Sequence, residues 1–188
     1  LGLNLKTYYV KRCVAVPGDT FEIRNAHYKV YGYKGTLGCV DSQDKLLHIL
    51  SIGEERNWGI VMKGFPRDSL VNWTIKDFGP LYIPEKGGRI WMTPVNGVLY
   101  RNAIEWEQKK KLVQRGDIFL LNDSIIQEYQ FKEDYYFVAG DKVMNSKDSR
   151  YWGLLPEKFI VGKATLIWKS VDLNTDEIRW NRVFKRIE

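Results

Sequence analysis

Cysteine, histidine and long apolar runs are all scarce in this sequence, and each scarcity removes a class of function. Two cysteines, Cys13 and Cys39, occur in 188 residues, without the spacing of a metal site or the number that a disulfide framework needs. Whether they bond to each other is open at this point. Cys13 lies in a strand-like run, where a free cysteine is expected as a small buried apolar residue. The two histidines, His27 and His48, stand in no motif-like setting, which leaves little material for a Ser-His-Asp triad or a histidine metal site. Neither a metal nor another cofactor is expected. No stretch approaches the roughly 18 to 20 apolar residues that a membrane helix requires, so no segment is expected to span a bilayer. A phosphate-binding loop is also missing, because Gly162-Lys163-Ala164-Thr165 reads as strand and has no upstream glycine.

What is present is aromatic, apolar and mildly basic. Hydrophobic residues make up 44% of the chain, ample for a packed interior, and many of its 7 Trp, 11 Tyr and 8 Phe sit in short alternating runs bounded by turn residues. That pattern favours a mainly β fold. The net charge of +6 is spread along the chain, as on a solvated surface, and would also suit a position beside anionic lipid. Nucleic acid is not expected as a partner, since no helix-turn-helix pattern, zinc spacing or aromatic RNA-binding signature accompanies the basic residues.

Residues 8–16 read as a strand, followed by a Pro17-Gly18-Asp19 turn and a second strand over 20–24, together a hairpin. A long middle region rich in turn signals, among them Gly64-Phe65-Pro66 and Gly79-Pro80, runs to about residue 133. Within it, 103–113 is the best helix, and 117–121 with 124–131 flank an Asn122-Asp123 turn. Strands are expected again over 135–139 and 160–168. The tail places Trp180, Val183, Phe184 and Ile187 on one helical face; packing on the core is the favoured role of that face, and lying on a membrane surface the other.

Two runs carry the chemistry. The first is Lys11-Arg12-Cys13-Val14-Ala15-Val16-Pro17-Gly18-Asp19-Thr20; the second runs from Gly140-Asp141 through Asn145-Ser146-Lys147-Asp148-Ser149-Arg150-Tyr151-Trp152-Gly153. A lysine serves as a general base near neutral pH only if burial lowers its pKa. If residues 8–16 are a regular strand, Lys11 shares a face with Tyr9, Cys13 and Ala15 and has an apolar flank. Together the two runs resemble the lysine motif and the following motif of the type I signal peptidases, membrane-bound serine proteases with a Ser/Lys dyad. The stretch from Asn145 to Gly153 matches the family pattern at each defined position. Lys142-Val143-Met144 depart from it, as do Cys13 and Ala15.

The resemblance implies a signal-peptidase-like coiled β-sheet or barrel core, drawn from 1–26 and 134–170, with a β-rich subdomain inserted over 27–133 and a C-terminal tail, 171–188, packed on the core. It implies Lys11 as general base, Ser146 orienting the lysine, an Asp148–Arg150 charge pair fixing the loop, and Arg12 with Asp141 as a second brace. The family's serine nucleophile lies upstream of the lysine, beyond a transmembrane helix. No serine precedes Ser42 here, so the chain is expected to be a soluble, inactive fragment of a longer membrane protein. Its substrates would be preprotein signal peptides with small residues at positions −1 and −3, cut at the outer face of the cytoplasmic membrane. A degenerate member that binds signal peptides without cutting them is the alternative, and Lys142-Val143-Met144 would be its sign.

Overall fold

The computed structural model describes residues 8–172 and 175–187. In chain order the elements are β1 (Arg12–Ala15), β2 (Thr20–Arg24), β3 (His27–Val30), α1 (Val40–Ser51), β4 (Phe78–Tyr82), β5 (Arg89–Trp91), α2 (Pro94–Gln108), β6 (Leu112–Arg115), β7 (Ile118–Leu121), β8 (Ser124–Ile126), β9 (Glu128–Gln130), β10 (Tyr135–Ala139), α3 (Ser149–Trp152) and β11 (Leu155–Pro156). The fold is mainly β. Pairing among the described residues gives four small sheets, ordered β1-β10-β11, β3-β2-β4, β5-β9 and β6-β7-β8, and closes no barrel.

The turn at Pro17-Gly18-Asp19 forms, with Asp19 Oδ2 accepting from the Val16 N–H and Gly18 at φ +89°. The hairpin expected around it does not. β1 pairs with β10, far away in sequence, whereas β2 pairs with β3 and β4. Two hairpins turn instead on pairs of left-handed residues, Asn25-Ala26 between β2 and β3 and Asn122-Asp123 between β7 and β8, the backbone that matches the twist of adjacent strands. The second of these is the hairpin read from the sequence, although β8 stops at Ile126 and the chain continues into β9, which pairs with β5.

The helix expected over 103–113 begins earlier and ends sooner. Thr93 caps α2 by accepting the Asn96 N–H at 3.1 Å, Pro94 occupies its first turn, and Lys109 ends it in the left-handed conformation. Gly97 lets the Phe119 ring of β7 lie on the helix, since a Cβ there would come within 2.3 Å of it. Helix α1 was not foreseen. It covers a small apolar cluster of Ala26, Leu46, Ile49, Ile60, Ile75 and Val143.

The main core joins β1, β2 and β10 to β4, α2, β6, β7 and β9. Phe21, Phe78 and Phe137 meet at its centre, with Phe21 stacked on Phe137 at 4.4 Å. Lys11–Glu157 form one unit of the chain, and Lys158–Glu188 form a smaller second unit with the N-terminal residues. In the second unit the expected strand over 160–168 reduces to a single bridge, Leu166 with Arg186, in a loose ribbon that also pairs Val171 with Ile178. The expected tail helix shrinks to one short turn, Trp180–Arg182, because Phe184 takes φ +57° and its backbone returns to Ile167. Among the described residues no helix is long and apolar enough to cross a membrane.

Candidate active site

The loop that follows β10 is built around one carboxylate. Asp148 is the N-cap of α3, accepting the Arg150 N–H, and its two oxygens also take Arg150 Nε and Nη2, each at 2.8 Å. A further bond comes from the Gly140 N–H at 2.9 Å. Both side chains of this pair are 0% exposed. Burial opposes both charges; their mutual hydrogen bonds overcome it, holding the Asp148 carboxyl below the usual carboxylate range and the Arg150 guanidinium above its own. Ser149 Oγ, buried beside them, accepts the Val138 N–H at 3.0 Å and so ties the loop to β10.

Ser146 lies where this loop turns back on Gly140. A Cβ at Gly140 would stand 2.2 Å from Ser146 Oγ, so only glycine allows the approach. The Ser146 hydroxyl adds to the stabilisation of the Asp148 carboxylate from nearby, yet no described group meets its buried Oγ in good hydrogen-bond geometry. Lys11 immediately precedes β1 and is half-buried. Continuing the register of β1 with β10 one step beyond Arg12 opposite Ala139 brings Lys11 across from Gly140.

The apolar flank expected for Lys11 is not what forms. A register shift between Cys13 and Ala15 breaks the alternation of β1, leaving Cys13 exposed while Val14 and Ala15 are buried at 3% and 2%. Cys13 and Cys39 are both free thiols. Arg12 and Asp141 pair through two hydrogen bonds of 2.9 Å. That bidentate contact holds Asp141 below its usual range, although both side chains are substantially exposed.

The middle region supplies braces that the motifs alone do not reveal. The Phe65 N–H donates to the Arg150 carbonyl at 2.7 Å, the Tyr151 hydroxyl donates to the Val61 carbonyl at 3.1 Å, and the Phe65 ring packs where a Cβ of Gly153 would come within 2.7 Å. Gly64-Phe65-Pro66 was legible only as a turn. Tyr28, on β3, is buried in the main core. Burial pushes its phenol up to about 12, against the pull of the nearby Arg150 charge.

The departures at 142–144 have a packing account. Val143 is 1% exposed within the cluster under α1, and Met144 packs against that cluster. His27 is engaged by Asp44 at 2.8 Å, and among the described residues no group of three or more His, Cys, Asp or Glu could hold a metal ion. Two open hollows, of about 500 and 530 Å³, lie along β3 and beside the start of α2; none of Lys11, Arg12, Asp141, Ser146, Asp148 and Arg150 lines either.

The site thus consists of a loop clamped by a buried ion pair, which seats a buried hydroxyl on Gly140, with Lys11 just before the strand whose register runs toward that glycine. The family described as "Signal peptidase, peptidase S26" matches residues 4–169. Signal peptidase I of Buchnera aphidicola subsp. Acyrthosiphon pisum is 29% identical over 183 residues, covering 93% of this chain and 54% of that protein. Signal peptidase I of Haemophilus influenzae is 46% identical over 65 residues, 32% of this chain and 19% of its own length. The Helicobacter pylori (strain J99) protein of the same name is 25% identical over 205 residues, 97% of this chain and 61% of that protein. The chain thus spans about half the length of the first of these relatives. With a family match over most of its length, the chain belongs to the signal peptidase family, peptidase S26.

Proposed function

We propose that this chain carries the general base of a type I signal peptidase and the supports of that base. The observation that carries the reading is Ser146: its Oγ is buried without a well-formed hydrogen bond and is seated on Gly140, with Lys11 next in register across from that glycine. In this reading Ser146 holds the Lys11 amine. The neutral amine takes the proton of a serine hydroxyl, the serine oxygen attacks the scissile carbonyl, and the lysine returns the proton to the departing amine. Water activated by the same amine then hydrolyses the acyl-enzyme ester.

The serine and the oxyanion donors come, on this reading, from a segment upstream of Leu1 that also carries the membrane anchor. The enzyme would work at the outer face of the cytoplasmic membrane. Its substrate would be a signal peptide lying extended, with small residues at positions −1 and −3, docked as an added strand. The 142–144 departures do not favour a non-catalytic role, since Val143 has a place in the core.

The test uses the full-length protein and a preprotein cut after a small-x-small sequence. Lys11→Ala is expected to reduce cleavage to background with an unchanged melting temperature, and the 188-residue chain alone is expected not to cleave. Full activity in Lys11→Ala, or specific cleavage by the chain alone, would falsify the mechanism. A full-length wild type that binds signal peptides without cutting them would favour a binding protein instead.

A further inference from the structure

Strand β10 is the middle strand of its sheet, and its two edges are covered differently at the C-terminal end. β1 lies along one edge, with Arg12 opposite Ala139 and Cys13 opposite Val138. On the other edge β11 pairs only with Tyr135 and Tyr136. Successive N–H groups of a strand leave on alternate edges, so those of Val138 and Gly140 emerge together, beyond the reach of β11. Neither is left open. Ser149 Oγ accepts the first at 3.0 Å and Asp148 Oδ2 accepts the second at 2.9 Å. Two adjacent side chains of the second motif thus stand where the carbonyls of a further strand would.

This makes β10 a common reference for the two halves of the site. Lys11 is placed against it by the register of β1, and the shift between Cys13 and Ala15 decides that register. Were the pairing of Ala15 with Phe137 continued without the shift, Lys11 would meet Asp141 rather than Gly140. Ser146 is placed against the same strand by its loop, in which Ser149 follows three residues later. Ser149 is 0% exposed. An alanine there would fill nearly the same space but strand the buried Val138 N–H.

We propose that Ser149 is a positioning residue for the reaction: its hydroxyl, standing in for a strand carbonyl, fixes the Ser146 loop against the strand on which Lys11 is registered. The proposal rests on the Ser/Lys reading given above. Without that oxygen the loop keeps its ion pair and its bond to Gly140 but can swing about them, and Ser146 drifts from the amine it orients. A misplacement of about 1 Å can cost on the order of a hundredfold in rate.

Ser149→Ala and Ser149→Cys in the full-length protein test it, the cysteine keeping the size of the side chain while replacing a good acceptor by a weak one. Expected for preprotein cleavage is a fall in kcat of about tenfold or more in Ser149→Ala and a smaller fall in Ser149→Cys, with KM within about twofold of wild type in both. In a Ser146→Ala background, Ser149→Ala is expected to cost nothing further, whereas a residue that only stabilises the fold would lower activity there as well. Hydrogen exchange of the Val138 amide is expected to be slow in wild type and faster in Ser149→Cys, which carries the test if Ser149→Ala does not fold. Wild-type kcat in the variants, a loss confined to KM, or an additive loss in the Ser146→Ala background overturns the proposal. The exchange measurement needs no turnover. An unprotected Val138 amide in a cleaving wild type would sink the proposal alone, while a protected one in a wild type that does not cleave would sink the catalytic reading and the proposal with it.

Discussion

Asp148 and Asp141 make the same chemical contact, a two-bond ion pair with an arginine, at opposite extremes of burial. The Asp148–Arg150 pair is 0% exposed, whereas Arg12 and Asp141 are 42% and 53% exposed. Truncating one member of a buried pair strands a charge and typically costs about 3 to 5 kcal/mol, against about 0 to 1 kcal/mol for an exposed pair. Thermal melts of Asp148→Ala and Asp141→Ala are therefore expected to differ severalfold in their effect, and equal effects would mean that burial is not what distinguishes the two pairs. Gly140 offers a second test at this scale. A methyl group there would push Ser146 away, so Gly140→Ala is expected to lower cleavage more than tenfold while costing about 1 to 3 kcal/mol of stability. In a Ser146→Ala background the same substitution should reduce activity no further; a full additional loss would place the effect elsewhere.

At the scale of elements, α3 is only one turn long, and such a helix is too short to hold itself. It is held at its start by the Asp148 cap and at its end by the fit of Gly153 against Phe65. Gly153 sits at φ +89° and ψ −138°, a backbone region costly for any residue with a Cβ, at about 1 to 3 kcal/mol. Gly153→Ala adds a clash with the Phe65 ring to that strain. The expected result is a lower melting temperature together with reduced cleavage. An unaffected Gly153→Ala would show that Phe65 does not brace the loop.

For the whole molecule, the carboxyls held below their usual range, Asp148 and Asp141 with Glu105, contribute to the response to acid. A carboxyl whose pKa is lowered on folding contributes stability that is fully present above its unfolded value, about 3.9, and is lost as pH falls through the folded value. Stability from these groups should therefore be level between about pH 7 and 5 and decline below about pH 4. Asp148→Asn should remove more of that acid slope than Asp141→Asn, because solvent screens the exposed pair. Denaturant titrations across this range check it, and an equal slope in both variants would count against the assignment to Asp148.

The sequence alone determined what depends on near neighbours. The bounds of β2 and β10 and the Asn122-Asp123 turn follow from alternation and turn chemistry, while the pairing of Asp148 with Arg150 was implied by the family resemblance. The family, too, was legible in two short runs. Only the tertiary structure decided which strand β1 joins, because local pattern makes a strand but does not name its partner. The bulge that exposes Cys13 arises from the same long-range pairing, which is why the flank read for Lys11 did not form. The role of Phe65 was invisible for a related reason. It is an ordinary aromatic in its own segment, and it braces the loop only where the packed structure sets it against Gly153.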